Sequence, residues 1–189
     1  MKHEGSDPDG KLQRFEQLLL ERAIPMGMVA KGDRNRLWER HIADSLRALP
    51  HLPDDGPRVC DMGSGAGLPG IPLAISRPDS AFTLVEVRRS RATFLSEVVS
   101  ELDLPNVAIH PRRLETWRGT ADACLARAFA GSKIVWAAAD RLLVPNGRLI
   151  YWAGTSFSLE HDVPRGVRAT VDAPPTLART GPLVIMARQ

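Results

Sequence analysis

The segment Cys60-Asp61-Met62-Gly63-Ser64-Gly65-Ala66-Gly67-Leu68-Pro69-Gly70 narrows the architecture of this chain more than any other stretch. Before it, Arg58-Val59-Cys60 reads as a strand; after it, Ile71-Pro72-Leu73-Ala74-Ile75 reads as a helix. Alternating glycines permit positive φ and let a ligand approach the backbone closely, while free amides at a helix start attract polar groups. A strand, a glycine loop and a helix in that order belong at the first crossover of a doubly wound sheet, beside a nucleotide-like ligand.

Two ligands compete for such a loop. The window Gly65-Ala66-Gly67-Leu68-Pro69-Gly70 fits the G-x-G-x-x-G dinucleotide fingerprint, which keeps a nicotinamide-dependent oxidoreductase open. Asp61 argues the other way, because a carboxylate just before the glycines would repel a pyrophosphate and attract an ammonium. S-adenosylmethionine carries an ammonium on its methionine tail, and the order acid-x-Gly-x-Gly-x-Gly resembles the first motif of methyltransferases that use it. This makes Asp61, Gly63, Gly65 and Gly67 candidate cofactor residues. The next apolar run, Ala81-Phe82-Thr83-Leu84-Val85-Glu86, suits a buried parallel strand. It ends in an acid about 20 residues past the glycines, where a ribose-binding carboxylate belongs, so Glu86 is a candidate ribose ligand for either cofactor.

A chain of 189 residues with 43% hydrophobic content can bury one sizeable core. We expect a single domain over residues 1–189, with a helical extension over 1–52 and an α/β cofactor-binding core over 53–189. No stretch reaches the ~18 apolar residues of a membrane span, and Met1-Lys2-His3-Glu4-Gly5-Ser6 lacks the apolar core of a signal peptide. A cytoplasmic monomer with no membrane partner is the expectation. Cys60 and Cys124 fall inside apolar strands and read as small buried hydrophobes; no histidine or cysteine spacing predicts a metal.

The formal charge is only +3, but its distribution is informative. Arg34, Arg36 and Arg40 precede the sheet, Arg88, Arg89 and Arg91 follow the second strand, and Arg112 and Arg113 follow the third. These connections lie near the ligand edge of a doubly wound sheet, where a basic rim could hold phosphates. Arg88, Arg89, Arg112 and Arg113 are the candidate phosphate contacts for a nucleic acid, against the alternative of an ordinary solvated surface in an arginine-biased chain.

The remaining pattern reads as one α/β unit. Leu12, Phe15, Leu18 and Leu19 recur at helical spacing before Pro25 and Gly27. A second helix is predicted from about Asp33 or Asn35 to Pro50, with Trp38, Ile42, Leu46 and Leu49 on its inner face. Ala92 to Leu102 predicts a crossover helix, Asn106 to His110 a third strand, and Asp122 to Arg127 a fourth. A helix beginning at Ile134 and closed by Pro145-Asn146-Gly147 leads into a fifth strand, Arg148 to Trp152. Gly166 to Val171 and Leu183 to Ala187 predict a terminal antiparallel hairpin around a proline-rich loop.

Four motifs, in order and spacing, identify a resemblance: Glu39-Arg40-His41-Ile42-Ala43-Asp44-Ser45, the loop from Asp61 to Gly70, Arg113-Leu114-Glu115, and Arg127-Ala128-Phe129-Ala130. Together they resemble the glucose-inhibited division protein B family of small-subunit ribosomal RNA methyltransferases, which act on guanine N7 of 16S rRNA. The resemblance runs from about Arg36 to Leu149. It implies a Rossmann-like class I methyltransferase fold, S-adenosylmethionine as cofactor, and rRNA or a ribosomal subunit as partner. It further implies that Gly63 and Leu68 contact the cofactor, that Leu114 and Glu115 flank its adenine, and that Arg127 closes the site and serves catalysis.

Independently of that family, an arginine ending an apolar strand needs an anionic partner or water. A cofactor carboxylate or an RNA phosphate would serve Arg127. His41 is expected to pack its helix onto the domain, bonded to Asp44. No Pro-Pro-aromatic sequence follows Arg127, as methylation of an exocyclic amine would favour, and neither cysteine looks free to attack a pyrimidine. A target with an available lone pair, such as guanine N7, remains. The chain departs from the family at Gly27-Met28-Val29, where many members carry Asn-Leu-Thr, and at Ala153-Gly154, where a lysine precedes the glycine. A diverged methyltransferase-fold protein with another substrate, or one that only binds RNA, therefore stays open beside the oxidoreductase.

Overall fold

The computed structural model describes residues 7–173 and 181–189. The amino-terminal reading over Met1 to Ser6 and most of the proline-rich loop lie outside those residues.

A seven-stranded sheet organises the chain, in the order β3-β2-β1-β4-β5-β7-β6. Strands β1 (Arg58–Met62), β2 (Ala81–Val85), β3 (Val107–His110), β4 (Ala121–Arg127) and β5 (Leu143–Trp152) are mutually parallel, and β7 (Leu183–Arg188) pairs antiparallel with β5 and with β6 (Val167–Asp172). The order reverses between β1 and β4, so the carboxyl ends of those strands flank the crevice where ligands of such sheets bind. The hairpin forms as expected, with β7 inserted between β5 and β6.

Alternation along the strands separates two cores. Val59, Phe82, Leu84, Ala123, Leu125 and Ile150 face one side. There they meet Leu12, Phe15 and Leu18 of α1 (Pro8–Leu18), Ile71 and Leu73 of α3 (Gly70–Ser76), and Phe94, Leu95 and Val98 of α4 (Arg89–Glu101). Cys60, Val85, Cys124, Ala126, Leu149 and Tyr151 face the other side, toward Val135 and Trp136 of α5 (Ser132–Asp140). Side chains of successive strand residues point to opposite faces, so a sheet buried on both sides reads as continuous apolar runs. Both cysteines are free and fully buried, and they sit side by side in the register of β1 and β4. The neighbouring Cys124 and burial together push the Cys60 thiol well above its usual value.

Two local readings are corrected. The helix from Ser132 ends at Asp140, and Pro145-Asn146-Gly147 sits within the β5 run, where the pairing to β4 jumps from Leu143 to Arg148. In the extension, a 3₁₀ turn over Lys31–Arg36 passes into a π turn over Trp38–Ala43 and then α2 (Asp44–Leu46). That wider turn buries Leu37 and Ile42, five residues apart, and leaves Trp38 40% exposed rather than on the inner face. The short helix α6 (Leu159–Asp162) completes the fold.

Candidate functional site

The loop after β1 is stitched to the ends of its neighbours. The amides of Gly63 and Ser64 both donate to the Val85 carbonyl at 3.0 Å, and Ser64 Oγ donates to the Asp61 carbonyl at 3.0 Å. Gly63, Gly65 and Gly67 take φ values of +74°, +57° and +87°, a region that favours glycine. At Gly67 the reason is packing, since a Cβ would lie 2.7 Å from Ile71 Cγ1. At Gly65 a Cβ would meet nothing nearer than 3.8 Å, one of those atoms being Arg91 Nη1, so the backbone here borders open space. Leu68 is half-buried beside this loop.

Asp61 is 1% exposed and spans the loop from below, its Oδ2 accepting from the Gly70 amide at 3.2 Å. Burial raises its pKa to about 7, against the lowering effect of its bonds to Ser64 and Gly70, and the Glu86 charge adds to the rise. Glu86, 4% exposed just past β2, holds two backbone amides: Gly65 to Oε2 at 3.0 Å and Arg88 to Oε1 at 2.7 Å. A carboxylate offers about four lone-pair positions, so each oxygen keeps one for a ligand hydroxyl. The sequence placed both acids at this edge, but not their grip on the loop's backbone.

Leu114 and Glu115 begin a 3₁₀ turn after β3. Leu114 packs with Met62 and Val85 beneath the strand ends, while Glu115 is exposed. Arg88, Arg89, Arg112 and Arg113 are exposed at the same carboxyl edge, and none forms an ion pair among the described residues.

Arg127 finds its anion within the chain. Its Nη2 lies 3.1 Å from Asp44 Oδ2 and donates to the Arg40 carbonyl at 2.8 Å, while Nη1 donates to the His41 carbonyl at 3.3 Å. The guanidinium thus clamps the extension onto the end of β4. Burial presses its pKa down, and Asp44 opposes the fall. His41 bonds Asp33, not Asp44, with Nε2 2.9 Å from Oδ2. Arg47 takes the other Asp44 oxygen at 2.8 Å. Burial lowers the His41 pKa despite the Asp33 hydrogen bond.

Sequence reasoning quoted Phe129 within a motif but gave it no role, and it missed the cavity beside Ala128. Ala128 takes φ +52°, an uncommon conformation for a residue with a Cβ. Phe129 follows it, 39% exposed, with its ring against Gly63: a Cβ there would lie 2.5 Å from Phe129 Cδ2. Beside them a cavity of about 320 Å³, lined by Arg40, Asp44, Arg127, Ala128, Tyr151 and Trp152 among others, opens at the ends of β4 and β5. The aromatic at the end of the apolar fourth strand, in Arg127-Ala128-Phe129-Ala130, was the available signal.

This sheet order, the glycine loop held from below by an acid and the acid closing β2 define a Rossmann-like class I methyltransferase that uses S-adenosylmethionine. Residues 9–165 match the profile of the family described as GidB, rRNA small subunit methyltransferase G. The chain belongs to that family. It is 39% identical over 165 residues to the ribosomal RNA small subunit methyltransferase G of Mycobacterium leprae (strain TN), covering 85% of this chain and 67% of the relative. With its counterpart from Acidiphilium cryptum it shares 38% identity over 152 residues, 79% of this chain and 70% of that one. With that of Acidothermus cellulolyticus it shares 40% over 141 residues, 75% and 63% of the two chains. The chain therefore spans about two thirds of the length of these relatives. Among solved structures, a mutant of MtNAS in complex with S-adenosylmethionine superposes with a TM-score of 0.63 at 17% identity, over 95% of this chain and 73% of that one. An rRNA methylase from Streptococcus thermophilus gives 0.54 at 18% identity, over 80% and 97%.

Proposed function

We propose that this chain transfers a methyl group from S-adenosylmethionine to guanine N7 in small-subunit (16S) rRNA. The observation that carries the reading is the Asp61-to-Gly70 loop bound to Glu86, set in a chain of the rRNA small subunit methyltransferase G family.

The described residues fit the cofactor. Open backbone at Gly65, with Gly63, Gly67 and Leu68 around it, forms a cradle for a nucleoside. Glu86 is pre-oriented by two amides to accept ribose hydroxyls, Asp61 in its ionised form would attract an ammonium, and Leu114 and Glu115 would flank the adenine. When bound, S-adenosylmethionine supplies an electrophilic methyl group. Guanine N7 already carries a lone pair, so the protein has no proton to remove and acts by alignment and exclusion of water. Arg127 serves by locking the extension over the end of β4, which shapes the neighbouring cavity for a base. Arg88, Arg89, Arg112 and Arg113 hold phosphates along the rim.

Nothing in the site favours the oxidoreductase reading. Tyr151, the one tyrosine, is 9% exposed and donates its hydroxyl to the Ala130 carbonyl at 3.2 Å. The test uses unmethylated small-subunit rRNA and ribosomal subunits, followed by reduction and aniline cleavage, which cuts at 7-methylguanosine. Methyl incorporation with cleavage at one site is expected. Incorporation without cleavage would assign another atom, and a melting shift with NADH but none with S-adenosylhomocysteine would overturn the methyltransferase reading.

A further inference from the structure

We propose that Trp38 is a stacking platform for an unpaired base of the RNA substrate, held at the rim of the site by the latch between Arg127 and the extension. The proposal rests on the rRNA reading above and adds a surface to it.

Helical spacing calls for Trp38 inside, on one face with Ile42 and Leu46. The π turn over Trp38–Ala43 instead pairs Leu37 with Ile42 in the core, 1% and 0% exposed, and turns the indole outward at 40%. Leu12, Phe15, Leu18, Leu19, Ile24 and Leu37 of the extension are buried, while Met26 is exposed beside the Gly27 turn. The indole is the exposed aromatic of the extension, whose other aromatic, Phe15, is fully buried. Departures of this kind from regular helix are frequent at functional sites.

Charge identifies the occupant. Lys31, Arg34 and Arg36 lie within two turns before Trp38 and are exposed, and none of the three forms an ion pair among the described residues. Arg40 is tied to Asp33 at 2.7 Å, which leaves Glu39 as the exposed carboxylate of the stretch. An aromatic face among free cations matches a single-stranded nucleic acid, whose bases stack on the ring while its phosphates meet the arginines. Position agrees with this partner. The Arg40 carbonyl, two residues from Trp38, accepts from Arg127 at the end of β4, so the indole stands on the segment bordering the cavity at the ends of β4 and β5.

Tryptophan emission reads the contact directly. Trp136 and Trp152 are each 8% exposed and Trp117 is half-buried, so Trp38 is the tryptophan most open to a base. Titrating the whole chain with unmethylated small-subunit rRNA, and with a short single-stranded purine oligonucleotide, should quench this emission. The quench should fall by more than half in Trp38→Phe, the remainder coming from a base beside Trp152 in the cavity, and this variant keeps an aromatic face and RNA affinity within about threefold. Trp38→Ala should bind RNA about ten times more weakly or worse, and raise KM for rRNA with kcat and S-adenosylhomocysteine affinity unchanged. Quenching undiminished in Trp38→Phe, or wild-type RNA affinity in Trp38→Ala, overturns the platform while rRNA methylation by the parent chain leaves the function standing. A parent chain that binds S-adenosylhomocysteine yet neither binds nor methylates rRNA would instead sink the function, and the platform with it.

Discussion

Arg127 at the end of β4 and Asp44 at the start of α2 form an ion pair of 3.1 Å, with side chains 18% and 3% exposed. The sequence places them far apart, one closing an apolar strand and the other inside a helical motif. In the fold the pair joins the two parts of the chain at the edge that carries the glycine loop. Trp152 Nε1 also donates to the Asp44 carbonyl, at 3.1 Å, so Asp44 ties the extension to β5 as well.

The first prediction follows from this latch. Arg127→Ala leaves Asp44 with one cation, Arg47, and removes the guanidinium donors to the carbonyls of Arg40 and His41, the latter keeping Ser45 Oγ at 2.6 Å. Breaking one side of a buried pair costs about 3–5 kcal/mol, to be measured by urea unfolding. Asp44→Ala should cost a similar amount and the double variant less than their sum, because the residues share the interaction. Additive losses would deny the coupling.

Asp61 sets a pH dependence. Its pKa is raised from 3.8 in the unfolded chain to about 7 in the fold. The folded state therefore holds a proton that the unfolded state has released. Its contribution is complete below the unfolded pKa and is lost as pH rises from about 4 through about 7. An ammonium ligand favours the ionised form, so S-adenosylhomocysteine should bind more tightly as pH passes about 7. Asp61→Asn should flatten both dependences in thermal melts and calorimetric titrations. An affinity that stays flat in the parent chain would separate Asp61 from the ligand.

Much of this site was legible because it is local. A glycine loop between a strand and a helix, and an acid ending the next strand, are set by positions close in sequence. Asp61, Gly63 to Gly70 and Glu86 accordingly fall where the pattern puts them, and both strand faces follow from alternation. The partners of Arg127 depend on how the extension docks, a relation between residues more than eighty positions apart, which no periodicity encodes, and His41 reaches Asp33, eight positions back, through the 3₁₀ and π turns that regular helical spacing does not describe. Trp38 was misplaced because a period of 3.6 was applied to a π turn, and Pro145-Asn146-Gly147 because a turn triplet can interrupt a strand as readily as close a helix.

Glu86→Gln should weaken S-adenosylhomocysteine binding by about 1–3 kcal/mol. The amide keeps one acceptor oxygen where the carboxylate has two, so it cannot satisfy both Gly65 and Arg88 and still receive ribose hydroxyls. Calorimetry with 2′-deoxyribose and ribose forms of the ligand separates the roles. A parent chain that binds both forms equally would confine Glu86 to holding the loop.

The last prediction concerns Gly63 and Phe129. Alanine at Gly63 meets two obstacles, a φ of +74° and a Cβ placed 2.5 Å from Phe129 Cδ2. The left-handed conformation alone costs an L-residue about 1–2 kcal/mol, and the overlap adds to it unless the ring shifts. Gly63→Ala should therefore lose more than about 2 kcal/mol of stability and bind S-adenosylhomocysteine poorly. Phe129→Ala in the same chain removes the overlap and leaves the φ strain, so the double variant should recover only the part of the stability loss in excess of about 1–2 kcal/mol. Urea unfolding of the two single variants and the double variant measures the split. If the double variant is no more stable than Gly63→Ala, the ring is not what the new methyl strikes. If Phe129→Ala alone lowers kcat with cofactor affinity intact, the ring also contacts the base being methylated.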